Sequence, residues 1–452
     1  MPLTRREMLI ATVLGTGALG LSSTLPFPGL TLPAHATGVG RSDLHYIFVY
    51  FQGGWDALLG LDPRDPSVYT QDNIAYYKTY PGYENVEMVN ANRVQAGGIQ
   101  FGPYIGNLTN HVADLQVFRG LSMDTLTHEV GRRRFITGRP PAGTQARGSS
   151  LATVLAAQFG QDDVVPNLVG RVETFNPDQP SWASAMSVNS VDDLVAALSP
   201  NPSDIGEIER EQIDALLERF RETSTSQRSK ARSSALEFRK AAHEVVQQNL
   251  GSVFDFGANT EEMAIIRDAY GFNRNQLATP SARTAMALRA LTQGVSRCVS
   301  VSVTDNLDTH ANDWESDHGP RLRDGFDRVA QLVQDLKTTE YRGTQDSWFD
   351  HTVIVGFSEF QRTAMVNARG GRDHSLSNTA FVMGGGLRGG RVLGASGEVG
   401  MIPQNIDLAT GMPSPGGEVI RPEHIHRALL KHAGIDDDIA ELRVPAYDAM
   451  LS

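Results

Sequence analysis

The sequence predicts an α/β protein with a mostly parallel central sheet flanked by helices and with a helical insertion. Apolar runs of strand length, rich in β-branched and aromatic residues, recur along the chain, as expected for strands buried on both faces. Amphipathic segments with helical spacing lie between these runs. Several runs end in glycine, acidic or histidine residues, which is typical of the ligand-binding edge of such a sheet.

The first predicted strand covers residues 44–51, and the rest of the chain is organised around it. Gly53 and Gly54 follow it and let the backbone turn tightly, because glycine carries no Cβ. Asp56 then lies beyond the carboxyl end of the strand, where open α/β sheets bind their ligands. The alternative is an ordinary turn in which Asp56 caps a helix.

The amino terminus has the features of a twin-arginine export signal. Arg5 and Arg6 precede an apolar run that continues to about Leu21, and residues 34–36, Ala-His-Ala, offer a cleavage site. This run is too short and too glycine-rich for a stable membrane span, although a chance Arg-Arg pair before an anchor helix is the alternative. We expect a signal peptide over residues 1–36 and a mature chain over 37–452, without an integral membrane span, in the periplasm or secreted.

The charge of the chain argues against some classes of partner. The full sequence has 40 basic and 52 acidic residues, and removing residues 1–36 leaves 38 and 51, a net charge of −13. Such a balance disfavours nucleic acid or an anionic membrane as the main partner, although a local metal site still permits an anionic ester. Cys298 is the only cysteine, so an internal disulfide is excluded. The oligomeric state does not follow from the sequence.

Further elements follow the same alternation. Strands are predicted at residues 115–121, 164–169, 297–303, 351–357 and 379–383. Helices are predicted at residues 107–114, 150–159, 281–294, 322–336 and 423–432. Residues 176–275 differ, because two charged segments with apolar residues at helical spacing dominate them. We interpret this stretch as a helical cap inserted into an α/β domain that covers residues 37–452.

Thr127 and His128 stand between a predicted strand and a predicted helix. Thr127 would be an ordinary N-cap there, which is its structural explanation. A hydroxyl at that position would also lie where backbone N–H groups and the helix dipole favour an anion. Thr127 is therefore a candidate nucleophile, and His128 is a candidate for steadying a bound anion together with Arg362.

Three of the predicted strands are followed by carboxylates and histidines. The candidate metal ligands are Asp56, Asp308, His310, Glu359, Asp373 and His374. Carboxylate oxygens and imidazole nitrogens together suit a divalent ion of the Zn, Mn, Mg or Ca type, and a set of this size could hold one ion or two. Any single one of these residues is more often a cap or a satisfied core residue.

The order of motifs resembles a known family. The twin-arginine signal is followed by Phe-Gln-Gly-Gly-Trp-Asp56, Leu-Asp308-Thr-His310-Ala-Asn312, Phe-Ser-Glu359-Phe-Gln-Arg362-Thr and Gly-Arg-Asp373-His374. This set is similar to an exported family of unknown function that is grouped with the alkaline phosphatase and sulfatase superfamily. The resemblance covers most of the mature chain and implies an alkaline phosphatase-like sheet flanked by helices. For the superfamily it implies two-metal hydrolysis of phosphate or sulfate esters through a Ser, Thr or formylglycine nucleophile.

The resemblance also implies roles for individual residues. Asp56 matches the metal carboxylate after the first strand, and Asp308 and His310 resemble the Asp and His of one metal. His374 resembles the late histidine of that same metal, and Thr127 lies in the region of the nucleophile.

The chain departs from the superfamily at one important place. Glu359 and Phe360 stand where an Asp-His pair is usual, so a histidine ligand is lost, and the cysteine-based sulfatase signature is absent. Two readings therefore stay open. One is a metal-dependent hydrolase of a small-molecule or polymer-borne anionic ester. The other is a catalytically inactive binding or accessory protein on the same fold.

Overall fold

The structure, a computed structural model, describes residues 43–65, 67–69, 92–199, 249–311 and 314–452, with a few isolated positions between 212 and 219. The predicted signal peptide, residues 1–36, lies outside the described residues. The chain forms two compact units, the first comprising Met1–Ser187 with Arg283–Ser452 and the second comprising Val188–Ala282.

The first unit is built on a mixed, mostly parallel sheet, which confirms the predicted fold class. Its strands lie in the order β10-β4-β9-β8-β1-β7-β5-β6. Their bounds are β1 His45–Phe51, β4 Leu115–Ser122, β5 Asn167–Gly170, β6 Met186–Val188, β7 Cys298–Thr304, β8 Thr352–Phe357, β9 Ser377–Gly384 and β10 Arg391–Gly394. Two small antiparallel pairs join β2 (Val94–Ala96) to β3 (Ile99–Phe101) and β11 (Asn405–Ile406) to β12 (Glu418–Val419).

The strand β1 lies inside this sheet, as its composition predicts. All seven of its residues are buried, and it pairs in parallel with β7 on one side and with β8 on the other. A run without a polar face is stable only where both faces of the sheet are covered. The carboxyl ends of β1, β7 and β8 therefore meet at one edge of the sheet.

The strand β9 runs antiparallel to both of its neighbours, β4 and β8. Its amino end consequently meets the carboxyl end of β8. This direction explains how Asp373 and His374, which precede β9, reach the same sheet edge as residues that follow the parallel strands.

The two units together contain seven described α-helices. They are α1 His128–Thr137, α2 Leu151–Phe159, α3 Val191–Leu198, α4 Glu261–Tyr270, α5 Pro280–Thr292, α6 Gly319–Thr338 and α7 Pro422–His432. Short 3-10 helices at Gly106–Asp114, Ser181–Ala183, Leu250–Phe254 and Asp448–Met450 and a π-helical turn at Trp314–His318 complete the described elements. None of the described helices is long and apolar enough to cross a membrane.

The helix α6 packs closely on the sheet because Gly325 faces it. A Cβ at Gly325 would lie 2.4 Å from Thr304 Cγ2 and 2.6 Å from Phe51 Cε1, so a larger residue would push the helix away. Leu322, Phe326 and other apolar residues at helical spacing are buried on this face, as the sequence predicts.

The second unit, considered by itself, contains α3 and α4. Ser190 caps α3 in a capping box with Asp193, and Thr260 caps α4, whose last turn ends at the left-handed Gly271. Most of residues 200–248, which hold the two helices of the predicted cap, lie outside the described residues. The described positions Ile213 and Leu216 are helical and exposed. The cap over residues 176–275 stays a prediction.

Candidate metal centre

The loops that follow β1, β7 and β8 touch one another at the edge of the sheet. Leu307 N–H donates to Gln52 O, and Trp55 and Arg362 form backbone bridges to Gln361 and His374. Gly53 has φ +112°, and a Cβ there would lie 2.5 Å from Leu307 N. Only glycine allows this approach, so it brings the loop after β1 against the loop that carries Asp308.

Three side chains converge at this edge, and we call them the imidazole–carboxylate cluster: His128, Asp308 and His374. They come from the start of α1, the loop after β7 and the segment before β9. Each offers one ligand atom, and these atoms all lie within 4.8 Å of one another. His128 Nε2 lies 3.3 Å and His374 Nε2 lies 3.5 Å from Asp308 Oδ1.

The two imidazoles are held with their Nε2 lone pairs directed into the cluster. His128 Nδ1 lies 2.7 Å from the carboxylate of Glu359, and His374 Nδ1 lies 2.6 Å from Leu126 O. Both partners are acceptors, so each Nδ1 carries the proton and each Nε2 is left with a lone pair. His128 Nε2 is moreover buried without a hydrogen-bond partner. Such an arrangement fits a metal ligand, whose other ring nitrogen is usually fixed in this way.

His310 lies beside the cluster. Its Nδ1 bonds Asp373 at 2.8 Å, and its Nε2 lies 2.9 Å from Asp308 Oδ1 and 3.0 Å from His374 Nε2. Two imidazole lone pairs this close need a proton or a metal cation between them. Arg362 Nη1 also lies 3.2 Å from His310 Nε2, which draws this imidazole toward the arginine.

The charge of the surroundings favours a cation. Burial raises the pKa of Asp308, but hydrogen bonding and charge from Arg362 lower it more, so its pKa lies well below the usual value. The pKa values of Glu359 and Asp373 are likewise lowered against the effect of burial, through their bonds to His128 and His310 respectively. Asp308, Glu359 and Asp373 thus stay ionised around the imidazoles.

Burial also acts on the two imidazoles of the cluster. Burial is the largest influence on His128 and lowers its pKa, but the hydrogen bond to Glu359 and the charges of Glu359 and Asp308 together outweigh it, so the pKa is raised overall. For His374 burial dominates and the pKa is lowered. Phe360 contributes to this burial, because its ring centroid lies 4.8 Å from that of His128 and 4.3 Å from that of His374.

The structure does not bring Asp56 into the cluster, which corrects the expectation from the sequence. Asp56 is 1% exposed, and both of its carboxylate oxygens accept from Arg372 Nη1, at 2.9 and 2.8 Å. The N–H groups of Leu58 and Leu59 donate to the same carboxylate. This is a buried ion pair that secures the loop after β1.

Glu359 and Asp373 also occupy other positions than the sequence suggested. The carboxylate of Glu359 lies behind His128, and that of Asp373 lies behind His310 and accepts from Asn367 Nδ2 at 2.9 Å. They orient imidazoles instead of joining the three converging ligand atoms.

Arg362 is a clamp between loops, which corrects its expected role in steadying an anion. It is 1% exposed, and every nitrogen of its guanidinium already donates. Its Nε donates to Gly54 O, its Nη2 to Gly53 O, Leu307 O and Asp308 Oδ1, and its Nη1 to Arg372 O. Nη1 also faces His310 Nε2, so the guanidinium is directed at neighbouring groups of the protein on every side.

Thr127 stands at the N-cap position of α1, as predicted. Its hydroxyl makes no capping bond to the helix, and it lies 3.3 Å from Thr125 Oγ1. Thr127 is exposed, and it sits between Leu126, whose carbonyl holds His374, and His128. A hydroxyl and the first free N–H groups of α1 are therefore presented next to the cluster.

The neighbours of His128 and the role of Tyr50 are not visible in the sequence. That His128 steadies a bound anion stays a prediction, and in the structure its Nε2 faces Asp308. Tyr50 belongs to β1 and looks like an ordinary strand residue, yet its hydroxyl donates to Glu359 at 2.9 Å. The one sequence feature that relates to both His128 and Tyr50 is Glu359, an acidic residue directly after a predicted strand.

Comparison with known proteins identifies a family, but the function of that family is unknown. A family model described as "Protein of unknown function (DUF1501)" matches residues 43–410. No curated protein matches the chain.

Three solved structures illustrate the structural similarity. The sugar-bound structure of Ps i-CgsB, in complex with k-i-k-neocarrahexaose, is 7% identical, with TM-score 0.38 over 90% of this chain and 75% of that one. The lipoteichoic acid synthase LtaP from Listeria monocytogenes is 9% identical, with TM-score 0.35 over 91% and 77%. The phosphonate monoester hydrolase SpPMH from Silicibacter pomeroyi is 10% identical, with TM-score 0.36 over 87% and 75%. Similarity at this level assigns no function.

Proposed function

The chain belongs to the DUF1501 family of proteins of unknown function, and we propose that it is a metal-dependent hydrolase of phosphate or sulfate esters. The observation that carries the proposal is the imidazole–carboxylate cluster next in sequence to Thr127, whose hydroxyl makes no capping bond. The resemblance of the motifs to the alkaline phosphatase and sulfatase superfamily points to the same chemistry. The substrate is a small-molecule or polymer-borne anionic ester.

The residues present fit a divalent ion held by His128, Asp308 and His374. Two imidazole nitrogens and one carboxylate are a ligand set that suits Zn²⁺ better than Mg²⁺ or Ca²⁺, which prefer oxygen ligands. Within the described ranges this is the one group of three such ligands, so we propose one ion in place of the two expected for the superfamily. When bound, the ion neutralises the ester's oxygens and lowers the pKa of a hydroxyl or water beside it.

The chain's own groups complete the reaction. Thr127 would supply the nucleophile, since its hydroxyl makes no capping bond to the helix. The first N–H groups of a helix lack intrahelical partners, so the start of α1 would favour an anion. Phe360 and the buried clamp Arg362 exclude water behind the imidazoles and fix the loop that carries Asp308.

The second reading, a binding or accessory protein without catalysis, has one observation in its favour. The carboxylates of Asp56, Glu359 and Asp373 are bound to Arg372, His128 and His310. Among the described residues one group of three ligand atoms converges, which supports a single ion rather than two.

Turnover of an aryl phosphate and an aryl sulfate by the Zn²⁺-loaded protein tests the proposal. We expect Thr127→Ala to abolish turnover while zinc content stays at the wild-type level. Thr125→Ala is the matched control, since it removes the neighbouring hydroxyl, and it should retain most activity. Wild-type protein inactive with every added divalent ion would support the accessory reading, and an active Thr127→Ala variant would exclude Thr127 as the nucleophile.

We further propose export by the twin-arginine pathway to the periplasm or the medium, on the basis of Arg5, Arg6 and the cleavage site at residues 34–36. Replacing both arginines by lysine should retain the chain in the cytoplasm. Unchanged export of that variant would exclude this route.

A further inference from the structure

The carboxylate of Glu359 is the most heavily bonded acid at the sheet edge. It is 1% exposed. Its Oε1 accepts from His128 Nδ1 at 2.7 Å and from Gly53 N at 3.0 Å. Its Oε2 accepts from Tyr50 Oη at 2.9 Å, Ser358 Oγ at 2.9 Å and Gly53 N at 3.2 Å. Both oxygens are therefore fully used by donors from β1, from the loop after it and from α1.

We propose that Glu359 is the positioning residue of the metal centre, and that it selects and aims the ligand atom of His128. This inference rests on the proposed function, because it assumes that the cluster binds an ion. A carboxylate that accepts from Nδ1–H fixes the tautomer with a free Nε2 lone pair and sets the orientation of the ring. It also makes the imidazole a stronger electron donor toward a cation.

The aim of the imidazole is fixed because Glu359 itself cannot turn. Tyr50, Gly53 and Ser358 hold its carboxylate from the strand side, where all three are buried. On the helix side, α1 packs against the backbone of the same residue. A Cβ at Gly131 would lie only 2.3 Å from Glu359 O. The start of α1, which carries His128, is thus held at a fixed distance from the carboxylate that orients it.

This role also explains the departure from the superfamily pattern at Glu359-Phe360. In this chain the position after β8 does not supply a ligand. It supplies the support for an imidazole that arrives from α1, and Phe360 packs against that imidazole and against His374. Glu359 and Phe360 therefore replace the usual Asp-His pair with residues that support a metal ligand and do not bind the metal themselves.

Zinc affinity of the mature chain, measured by competition with a chelating dye, tests the proposal. We expect Glu359→Gln to weaken Zn²⁺ binding about 10- to 100-fold, the usual effect of removing such a support. The variant keeps the shape of the side chain but loses its charge and cannot accept from all four groups. The visible spectrum of the Co²⁺-loaded variant should shift as well, because the ring of His128 is reoriented.

Asp346→Asn is the matched control. Asp346 makes the same kind of bond, at 3.1 Å, to His351, which precedes the amino end of β8 and lies outside the cluster. We expect it to change zinc affinity less than threefold. A Glu359→Gln variant that binds zinc like the wild type, or an Asp346→Asn variant that is equally impaired, would overturn the proposal.

Two further measurements distinguish a failure of the proposed function from a failure of the role of Glu359. A wild-type chain that binds no zinc would remove the proposed function itself, whereas a binding wild type with an unaffected Glu359→Gln variant removes only the role of Glu359. Should Glu359→Gln fail to fold by circular dichroism, Tyr50→Phe removes one bond that holds the carboxylate. We then expect a loss of several-fold in affinity with the fold intact, and unchanged affinity would refute the positioning role.

Discussion

The ion pair between Asp56 and Arg372 separates two accounts of Asp56, as a metal ligand and as a structural anchor. Asp56 is 1% and Arg372 0% exposed, and Nη1 lies 2.9 and 2.8 Å from the two oxygens. Burial raises the pKa of Asp56, and the charge of Arg372 and the N–H groups of Leu59 and Leu58 lower it again. The variant Asp56→Asn keeps the size of the side chain and removes its charge.

The expected cost follows from the burial of the arginine. In Asp56→Asn the buried guanidinium of Arg372 loses its ion pair with this carboxylate, which costs about 3–5 kcal/mol of unfolding free energy. Removing both charges, in Asp56→Asn with Arg372→Met, should recover a large part of this loss, because neither member of the ion pair is then left behind. Zinc affinity should change less than threefold in both variants, since neither residue belongs to the cluster.

Urea unfolding and zinc titration of the same preparations give both quantities. Arg372→Met alone completes the double-mutant cycle and is expected to be as unstable as Asp56→Asn. If Asp56→Asn lost zinc and kept its stability, Asp56 would be a ligand, and the ion pair would be the wrong explanation for its burial.

Two further predictions concern stability. Burial lowers the pKa of His426 to about 3, so the unfolded chain binds more protons between pH 3 and pH 6.5. The stability from this group is complete above about pH 6.5 and is lost as the pH falls, by up to about 1.4 kcal/mol per unit, and urea midpoints should show a shallower slope in His426→Gln. Gly131→Ala should cost about 1–3 kcal/mol, because its Cβ would lie 2.3 Å from Glu359 O, whereas Gly416→Ala, with nothing within 4 Å, should be neutral. Equal melting temperatures of the two alanine variants would refute the close packing of α1.

The strands of the fold were predictable because their composition leaves few alternatives. A run such as 44–51 has no polar face, so it must be covered on both sides, and the structure places it between β7 and β8. Strand ends were less certain. The predicted strand 164–169 starts three residues before β5, which is Asn167–Gly170, because residues 164–166 form a bend. The antiparallel direction of β9 depends on pairing between distant strands, which no local pattern encodes.

The position of the candidate site at the sheet edge was predictable from the sequence, but the roles of its residues were predictable only in part. Asp308 and His374 were identified from their positions next to strands, and they lie in the cluster. Asp56 looks like an equally good ligand in the sequence, because its partner Arg372 is far away in the chain. A sequence shows where a carboxylate lies relative to a strand but not which distant arginine neutralises it.

The roles of Glu359 and His128 also depend on partners that are distant in the sequence. Whether an acid at a strand end binds an ion or supports an imidazole depends on which donors reach it. Here they come from β1 and the loop after it, 309 and 306 positions away, and from α1, 231 positions away. The role of His128 therefore depends on the structure, in which Nδ1 bonds Glu359 and Nε2 faces Asp308.

The central claim is that His128, Asp308 and His374 hold one divalent ion, and metal analysis of the purified mature chain after dialysis against Zn²⁺ tests it most directly. Plasma mass spectrometry should find about one zinc per chain in the wild type and a large loss in both His128→Ala and His374→Ala, because imidazole nitrogens are two of the three ligands. A wild type without zinc, or a His128→Ala variant that retains a full equivalent, would contradict the account.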